Sequence, residues 1–348
     1  MTDAPEAPEP VTPAVAEAAA HATDPWRFRD FRLLWLGRIA AVLAIQIQSS
    51  ALLWQVYEIA RRDHPIEQAS LYLGLVGLVQ FIPLLALTLP AGEMADRRDR
   101  KTTVALSIFV EGLCAVAFLA MAIHGSPPLW GLLSVACLFG ACRAFLAPAS
   151  QAFLPMVVGR PALPRAIAAQ SIAFQTGAIA GPALGGVIVG VSTPLAYAAA
   201  LAMFLVGLSA FLMIRTSGKP QRVAGGPGRW AAVKEGLKYV WNTKIVLGAI
   251  SLDLIVVLFL GGAADMISVN IRQTLIQLST PDHMRGRVSS VSMLFIGASN
   301  ELGEAYSGVA VRFLGPIGAA VYGGIGALAA TGVWAKLFPG LRKADRLS

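Results

Sequence analysis

The chain has 348 residues, of which 56% are hydrophobic and 14% are charged, and its mean hydropathy is +0.64. Because soluble domains carry about 25% charged residues, this composition excludes an ordinary soluble protein and indicates a membrane protein. The formal net charge of +8 does not indicate a nucleic-acid-binding protein, since the basic residues form short clusters between apolar segments rather than one stripe.

Residues 1–25 are rich in Ala, Pro and Glu and lack the basic start and apolar core of a signal peptide, so they are predicted to be a disordered cytosolic tail. Ten apolar segments follow. They cover approximately residues 31–59, 70–91, 102–123, 128–150, 167–190, 194–214, 245–261, 263–279, 288–309 and 315–337. Such segments are long enough to cross a membrane as helices, and the alternating pattern of a membrane barrel is absent from the sequence. We therefore predict an all-α, polytopic membrane helix bundle.

Lysine and arginine residues are distributed unequally between the connections. If the N-terminus is cytoplasmic, nearly all of them lie in cytoplasmic segments, and the opposite side holds only Arg61, Arg62 and Arg312. Cytoplasmic loops of membrane proteins carry such an excess of basic residues. The distribution predicts a multi-pass protein of the cytoplasmic (inner) membrane with both termini in the cytoplasm.

The longest polar connection divides the predicted helices into a group of six and a group of four. It contains the run Gly-Gly-Pro-Gly at residues 225–228, which is typical of a linker. The predicted organisation is a tail at 1–25, a six-helix N-terminal bundle at 26–214, a cytoplasmic linker at 215–243, a reduced C-terminal bundle at 244–338 and a cytoplasmic tail at 339–348.

An internal repeat indicates what the C-terminal bundle lacks. Residues 143–214 align without a gap with residues 265–336, so helices four to six recur as the last three. The identical pairs include Gln151 and Gln273, Arg165 and Arg287, Gly181 and Gly303, Gly186 and Gly308, and Pro194 and Pro316. The segment before the second copy runs through Gly261 and Gly262 directly into it. Counterparts of helices two and three are therefore predicted to be missing from the second half.

The connection between the second and third segments reads GEMADRRDRK. Its defining residues are Gly92, Asp96, Arg97, Arg100 and Lys101. A glycine at a helix end lets a neighbouring helix approach closely, and an acid beside it can cap the positive start of that helix. A solvated charge cluster explains the basic residues but not the placement of the glycine and the acid. The run resembles the Gly-x-x-x-Asp-Arg-x-x-Arg-Lys signature of the major facilitator superfamily at every defining position.

The resemblance implies that Asp96 holds the cytoplasmic start of a helix beginning near Val288 and stabilises an outward-facing state. A second motif in the fifth segment, GAIAGPALGG, is similar to the Gly-x-x-x-Gly-Pro-x-x-Gly-Gly motif of proton-antiporting exporters in this family. Its residues are Gly177, Gly181, Pro182, Gly185 and Gly186. Generic packing by small residues is the alternative explanation. The sequences at 263–288 and 292–304 resemble the subgroup that includes the enterobactin exporter and predicted secretion effectors.

Ionisable residues at membrane depth are costly and therefore candidates for function. Glu111 and Asp253 are expected about 15 Å from the cytoplasmic boundary at 1.5 Å per residue, and they are the candidates for proton coupling. Arg38 and Arg143 are the predicted buried cations, which either pair with a carboxylate or meet an anionic substrate. Glu301 completes the candidate pathway, although an interhelical salt bridge explains it equally well.

No cofactor or metal is predicted, since the four histidines lie in tails or connections, and no nucleotide-binding Gly-x-x-x-x-Gly-Lys run occurs. The pattern does not indicate an enzyme. The expected partners are a small-molecule substrate, protons as the coupling ion and the lipid bilayer, with the oligomeric state left open. We expect a secondary active transporter that performs proton-coupled efflux of small hydrophobic or siderophore-like molecules. The alternative is a degenerate, transport-inactive or regulatory membrane protein derived from such an exporter.

Overall fold

The computed structural model describes residues 23–63, 65–125 and 127–220, except for the side chains at 66–68 and 70–71. In the second half it describes positions 234, 238–243, 246–247, 276, 280–281, 284–289, 291–292, 318 and 325. A short 3-10 helix, Pro25–Arg27, precedes helices α1 (Arg29–Asp63), α2 (Ile66–Arg97) and α3 (Arg100–Ile123). A helical stretch at Leu129–Val191 is broken at Gly159, and its two arms are α4 and α5. Helix α6 is Thr193–Met213.

The break between α4 and α5 consists of a single residue. Gly159 has φ of 72° and ψ of 172°, a conformation that residues with a Cβ rarely adopt. Pro161 follows within the first turn of α5, where helices tolerate proline because the first amides have no partner inside the helix, and Pro164 lies at the start of the second turn. The chain therefore reverses direction here without a loop.

Six helical spans in residues 29–213 confirm the all-α prediction for the first half. Five of the six helices are longer than their apolar segments, and the predicted connection between residues 151 and 166 is helical apart from Gly159. Hydrophobicity marks the part of a helix that faces lipid, whereas the backbone continues its hydrogen bonding into polar turns. The apolar pattern therefore underestimated the helix lengths.

One end of the bundle brings together the start of α1, the end of α2, the start of α3 and the end of α6. Asp30 of α1 accepts a hydrogen bond from Thr216 N–H at 2.7 Å, and Lys101 of α3 donates to the Ile214 carbonyl at 2.5 Å. We call this the Asp96 end. Within residues 23–220 most basic residues lie at or near it, whereas Arg38 and Arg143 lie deeper in the bundle and Arg61 and Arg62 lie at the far end of α1.

Glycines allow the helices to approach closely. A Cβ at Gly37 of α1 would lie 2.8 Å from the Phe211 ring of α6, and one at Gly207 would lie 3.2 Å from the Gly37 carbonyl. In the same way, a Cβ at Gly140 of α4 would overlap the Gln80 backbone of α2. Such close backbone contacts are typical of helix packing in membranes, where small residues line the interfaces.

A buried polar contact lies among the aromatic residues near the far end. The Tyr197 ring of α6 stacks on Phe118 of α3 with ring centroids 5.4 Å apart, and its hydroxyl donates to Gln55 Oε1 of α1 at 2.8 Å. Both Tyr197 and Gln55 are buried. This bond joins α6 to α1 inside the apolar core.

We expect Tyr197→Phe to lower the stability of the bundle by about 1–2 kcal/mol, because the buried Gln55 amide loses the donor of its 2.8 Å hydrogen bond. The apparent melting temperature in detergent measures the change. Tyr57→Phe provides a control, since Tyr57 is a partly buried tyrosine whose ring packs near Trp54 and which lies outside this contact. An unchanged melting temperature for Tyr197→Phe would show that the bond contributes nothing.

Among the residues that the structure describes, five helical segments are long and apolar enough to cross a membrane, and one of them is the broken stretch Leu129–Val191. Large apolar side chains stay exposed along their outer faces, including Leu106 at 57%, Ile179 at 64% and Val187 at 72%. Such a surface is stable in lipid rather than in water. The first half therefore forms a multi-pass membrane bundle.

The described part of the second half includes a helical turn at residues 285–289. Buried side chains around it form a small cluster that packs against Leu89 of α2. Its members are Val240, Val246, Ile276, Met284, Val288 and Val291. Most of the last four predicted spans, the seam at Gly261 and Gly262, and the candidates Asp253 and Glu301 lie outside the described residues.

Candidate functional site

The carboxylate of Asp96 connects the two halves of the chain. Its Oδ1 accepts the Gly286 N–H at 2.7 Å, and its Oδ2 accepts the Arg287 N–H at 3.2 Å and the Arg287 Nε–H at 3.0 Å. The Asp96 side chain is only 6% exposed. A carboxylate that binds the first amides of a helix also interacts favourably with the positive end of the helix dipole. We call this set of contacts the latch.

Glycines make the latch possible. A Cβ at Gly286 would lie 2.6 Å from the Gly92 carbonyl oxygen and 2.5 Å from Asp96 Oδ1, which is too close for any other residue. The sequence predicted a close approach between Gly92 and a neighbouring helix, and the structure places Gly286 in that contact. The helix starts a little earlier than Val288, since Met284 already belongs to its first turn.

Arg100 is buried beneath the latch and ties α2 and α3 to α4. Its side chain donates to the Ala95 carbonyl at 3.0 Å and to the Ala152 carbonyl at 2.7 Å, and Nη2 lies 3.9 Å from Asp96 Oδ1. The residue is 4% exposed. A guanidinium offers five donors in a fixed plane, so one arginine can hold several carbonyls in a defined geometry.

The other two basic residues of the motif have different surroundings. Arg97 is half exposed and pairs with Glu93 at 3.1 Å one turn earlier on α2. Lys101 donates to the carbonyls of Leu212 at 3.3 Å and Ile214 at 2.5 Å, at the end of α6. A cation at a helix C-terminus satisfies unpaired carbonyls and favours the negative end of the dipole.

The glycine motif of α5 packs against α1. A Cβ at Gly177 would meet the Val42 side chain, one at Gly181 would overlap Gln46 Cβ, and one at Gly185 would meet Ser50 Cβ at 2.8 Å. Both sets of residues are spaced by four, so each set lies along one face of its helix and the two faces pack against each other. We call the three glycines of this face the glycine stripe.

The remaining members of the α5 motif differ from that stripe. Gly186 has nothing within 4 Å of an added Cβ and lies outside the contact. Pro182 is inside α5, where it removes one helical hydrogen bond. The contact with α1 therefore depends on the three glycines spaced by four.

Three of the candidate pathway residues are brought together. Glu111 of α3 is fully buried, and the charges of Arg143 of α4 and Arg38 of α1 both act on its carboxylate. Neither Glu111 oxygen has a hydrogen-bond partner within the described residues. A carboxylate inside a membrane protein is stabilised by nearby positive charge, so the two arginines offset part of the cost of burying Glu111.

Each of these two arginines also lies over an aromatic ring. The Arg38 guanidinium is 6.0 Å from the centroid of the Phe174 ring on α5, and the Arg143 guanidinium is 5.9 Å from that of Phe139 on α4. Cations are attracted to ring faces at such distances. The charge triad therefore includes residues of α1, α3 and α4, and its surroundings include α5.

One contact at the Asp96 end was not expected from the sequence. Asp30 binds the main chain of Arg215 and Thr216. An acid in the first turn of a helix normally indicates only a favourable dipole interaction. No feature of the sequence indicated that Asp30 contacts a segment 185 residues later.

The fold and the latch define a class of protein: a polytopic helical bundle in which a charged turn between the second and third helices holds a helix of the second half. The sequence profile of the Major Facilitator Superfamily matches residues 34–270. The chain belongs to this family, whose fold is that of transporters.

Curated relatives include exporters. The multidrug efflux pump Tap of Mycolicibacterium fortuitum is 27% identical over 197 residues, which cover 54% of this chain and 48% of Tap. The enterobactin exporter EntS of Citrobacter koseri is 28% identical over 162 residues, which cover 45% of this chain and 36% of EntS. The chain thus spans half or less of the length of these relatives. Their similarity confirms the predicted resemblance to the enterobactin-exporter subgroup.

Solved transporter structures share the fold. A bacterial homologue of the iron transporter ferroportin in the outward-facing state has a TM-score of 0.62 at 12% identity and covers 88% of this chain and 98% of that one. The proton:xylose symporter XylE also has a TM-score of 0.62 at 12% identity, with 88% and 95% covered. At this identity the similarity concerns the fold alone.

Proposed function

We propose that the chain is a proton-coupled secondary transporter of the cytoplasmic membrane, with both termini in the cytoplasm, that exports small hydrophobic or siderophore-like molecules. The observation that carries the proposal is the burial of Glu111 beside the charges of Arg38 and Arg143. The efflux pump and the exporter among its relatives support the direction of transport.

The triad suggests how proton and substrate are exchanged. With Glu111 charged, its carboxylate attracts both guanidinium groups, whereas a neutral Glu111 leaves Arg38 and Arg143 to interact with other groups in the pathway. A proton taken up by Glu111 therefore changes the charge that the pathway presents to substrate. Asp253 and Glu301 are proposed to extend this pathway into the second half.

The two motifs serve the conformational cycle in this proposal. The latch holds the Asp96 end closed, and its release lets the two halves rock around the pathway and open that end. The glycine stripe of α5 keeps α1 and α5 in close contact during the movement. The basic residues gathered at the Asp96 end support the proposal that this end faces the cytoplasm.

Glu111→Gln is expected to reduce substrate accumulation driven by a pH gradient by at least about tenfold, because an amide cannot exchange a proton at this position. Purified protein in liposomes, with ethidium as the transported dye, measures the effect. Glu58→Gln is the matched control, since Glu58 is an exposed residue of α1 and its variant should transport like the parent. Equal gradient-driven accumulation by Glu111→Gln would exclude Glu111 as the coupling residue.

The second candidate is a degenerate, transport-inactive or regulatory membrane protein derived from an exporter. It is favoured by the internal repeat, because the second half contains a copy of helices four to six but no counterparts of helices two and three. In the liposome assay this candidate predicts no gradient-dependent flux by the parent chain. It also predicts that flux appears when a helix pair is inserted between Gly261 and Gly262.

A further inference from the structure

The residues that follow α6 stay in contact with the first half of the chain. Helix α6 ends at Met213, and residues 214–218, which we call the linker root, continue along the Asp96 end without helical structure. Hydrogen bonds from α1 and from the α2–α3 turn hold the linker root at three places along its length. It is the first part of the connection to the second half.

Asp30 of α1 holds the middle of the linker root. Its Oδ2 accepts the Arg215 N–H at 3.0 Å, the Thr216 N–H at 2.7 Å and the Thr216 hydroxyl at 2.6 Å. The Asp30 side chain is only 16% exposed. Hydrogen bonds to a carboxylate are stronger than those between neutral groups, and three of them converge here on one oxygen.

The turn that carries the latch holds both ends of the linker root. Lys101 donates to the Ile214 carbonyl at 2.5 Å, and the Arg100 N–H donates to the Gly218 carbonyl at 2.9 Å. Gly218 is pressed so closely against this turn that an added Cβ would overlap Asp99 Oδ1 and the Lys101 amide. Asp99 also accepts the Thr102 N–H as the N-cap of α3, so the turn itself is held in place.

We propose that the linker root moves as one body with the first half and that Asp30 is the positioning residue that keeps it there. Release of five residues would lengthen the tether between the halves by roughly 17 Å at 3.3–3.6 Å per residue. The contacts of the linker root therefore limit how far the second half can move after the hydrogen bond between Asp96 and Gly286 breaks.

Trypsin cleavage of the full-length protein in lipid nanodiscs tests this proposal, because it acts on a named bond and needs no transport activity. Arg215 is exposed, but its main chain is held by Asp30. We expect Asp30→Ala to accelerate cleavage after Arg215 about tenfold or more relative to cleavage after Arg222 of the same chain. Cleavage follows the population of the opened segment, which three lost hydrogen bonds to a charged group should raise.

Matched variants separate this role from a general loss of structure. Thr216→Val removes only the hydroxyl bond and should give a smaller acceleration, Thr216→Ser should cleave like the parent, and Asp30→Ala with Thr216→Val should cleave like Asp30→Ala alone. Asp24→Ala is the control at the same end, since Asp24 bonds Trp26 and not the linker root. Unchanged cleavage after Arg215 in Asp30→Ala, or equal acceleration in Asp24→Ala, would overturn the proposal.

Discussion

Replacing Asp96 with alanine is expected to open the contact between α2 and the helical turn at residues 285–289. The substitution removes the acceptor of the Gly286 and Arg287 amides and takes a buried carboxylate away from Arg287 at 3.0 Å and Arg100 at 3.9 Å. Loss of one partner of a buried ion pair costs about 3–5 kcal/mol. At 1.4 kcal/mol per factor of ten, the balance between closed and open latch should shift by about 100-fold or more.

A cysteine at position 288 measures this shift, because Val288 is fully buried in the cluster that packs on Leu89. In a chain whose Cys114, Cys137 and Cys142 are replaced by alanine, maleimide should label Val288→Cys much faster when Asp96→Ala is also present. Asp96→Asn should give an intermediate rate, since the amide oxygen can still accept from Gly286 but carries no charge. Equal labelling of all three chains would mean that the latch contributes nothing to closure.

The second large effect is expected where α5 meets α1. Gly181→Ala places a Cβ against Gln46 Cβ and should destabilise the bundle by about 1–3 kcal/mol, because overpacking forces helices apart. Gly186→Ala, five residues later in the same helix, meets nothing within 4 Å and should gain up to about 1 kcal/mol from the higher helix propensity of alanine. The same chemical change is thus predicted to have opposite signs.

Apparent melting temperatures of both variants in the same detergent give the comparison directly. Gly185→Ala, which would meet Ser50 Cβ at 2.8 Å, should behave like Gly181→Ala and show that the stripe acts as a whole. If Gly181→Ala and Gly186→Ala shift the melting temperature in the same direction, the close approach of α5 to α1 does not determine stability at this interface.

The latch could be anticipated from the sequence because each of its structural requirements calls for a particular type of residue. A close approach needs Gly92, and capping of a facing helix needs Asp96. The structure adds Gly286, whose need for glycine became evident only once its distance to the Gly92 carbonyl was known. The apolar segments likewise predicted six helices in the first half, since in lipid the backbone must satisfy its own hydrogen bonds.

Contacts between residues far apart in sequence could not be anticipated in the same way. Asp30 bonds Thr216 through a carboxylate and main-chain amides, and any residue supplies an amide, so only one partner leaves a trace in the sequence. The partners of the α5 glycines, Val42 and Gln46, are ordinary residues of an apolar helix, and the register between α1 and α5 selects them. The expectation that Glu111, Arg38 and Arg143 are buried charges did not reveal that they are neighbours.

The corner between α4 and α5 at Gly159 provides a fixed reference distance for measurements on this protein. A single residue joins α4 to α5, so the neighbouring ends of these helices cannot move apart by more than a bond or two in any state of the protein. Spin labels placed directly on either side of the corner should report nearly the same separation under every condition. Against that fixed distance, a change measured between α2 and the turn at residues 285–289 can be attributed to motion between the halves rather than to the labels.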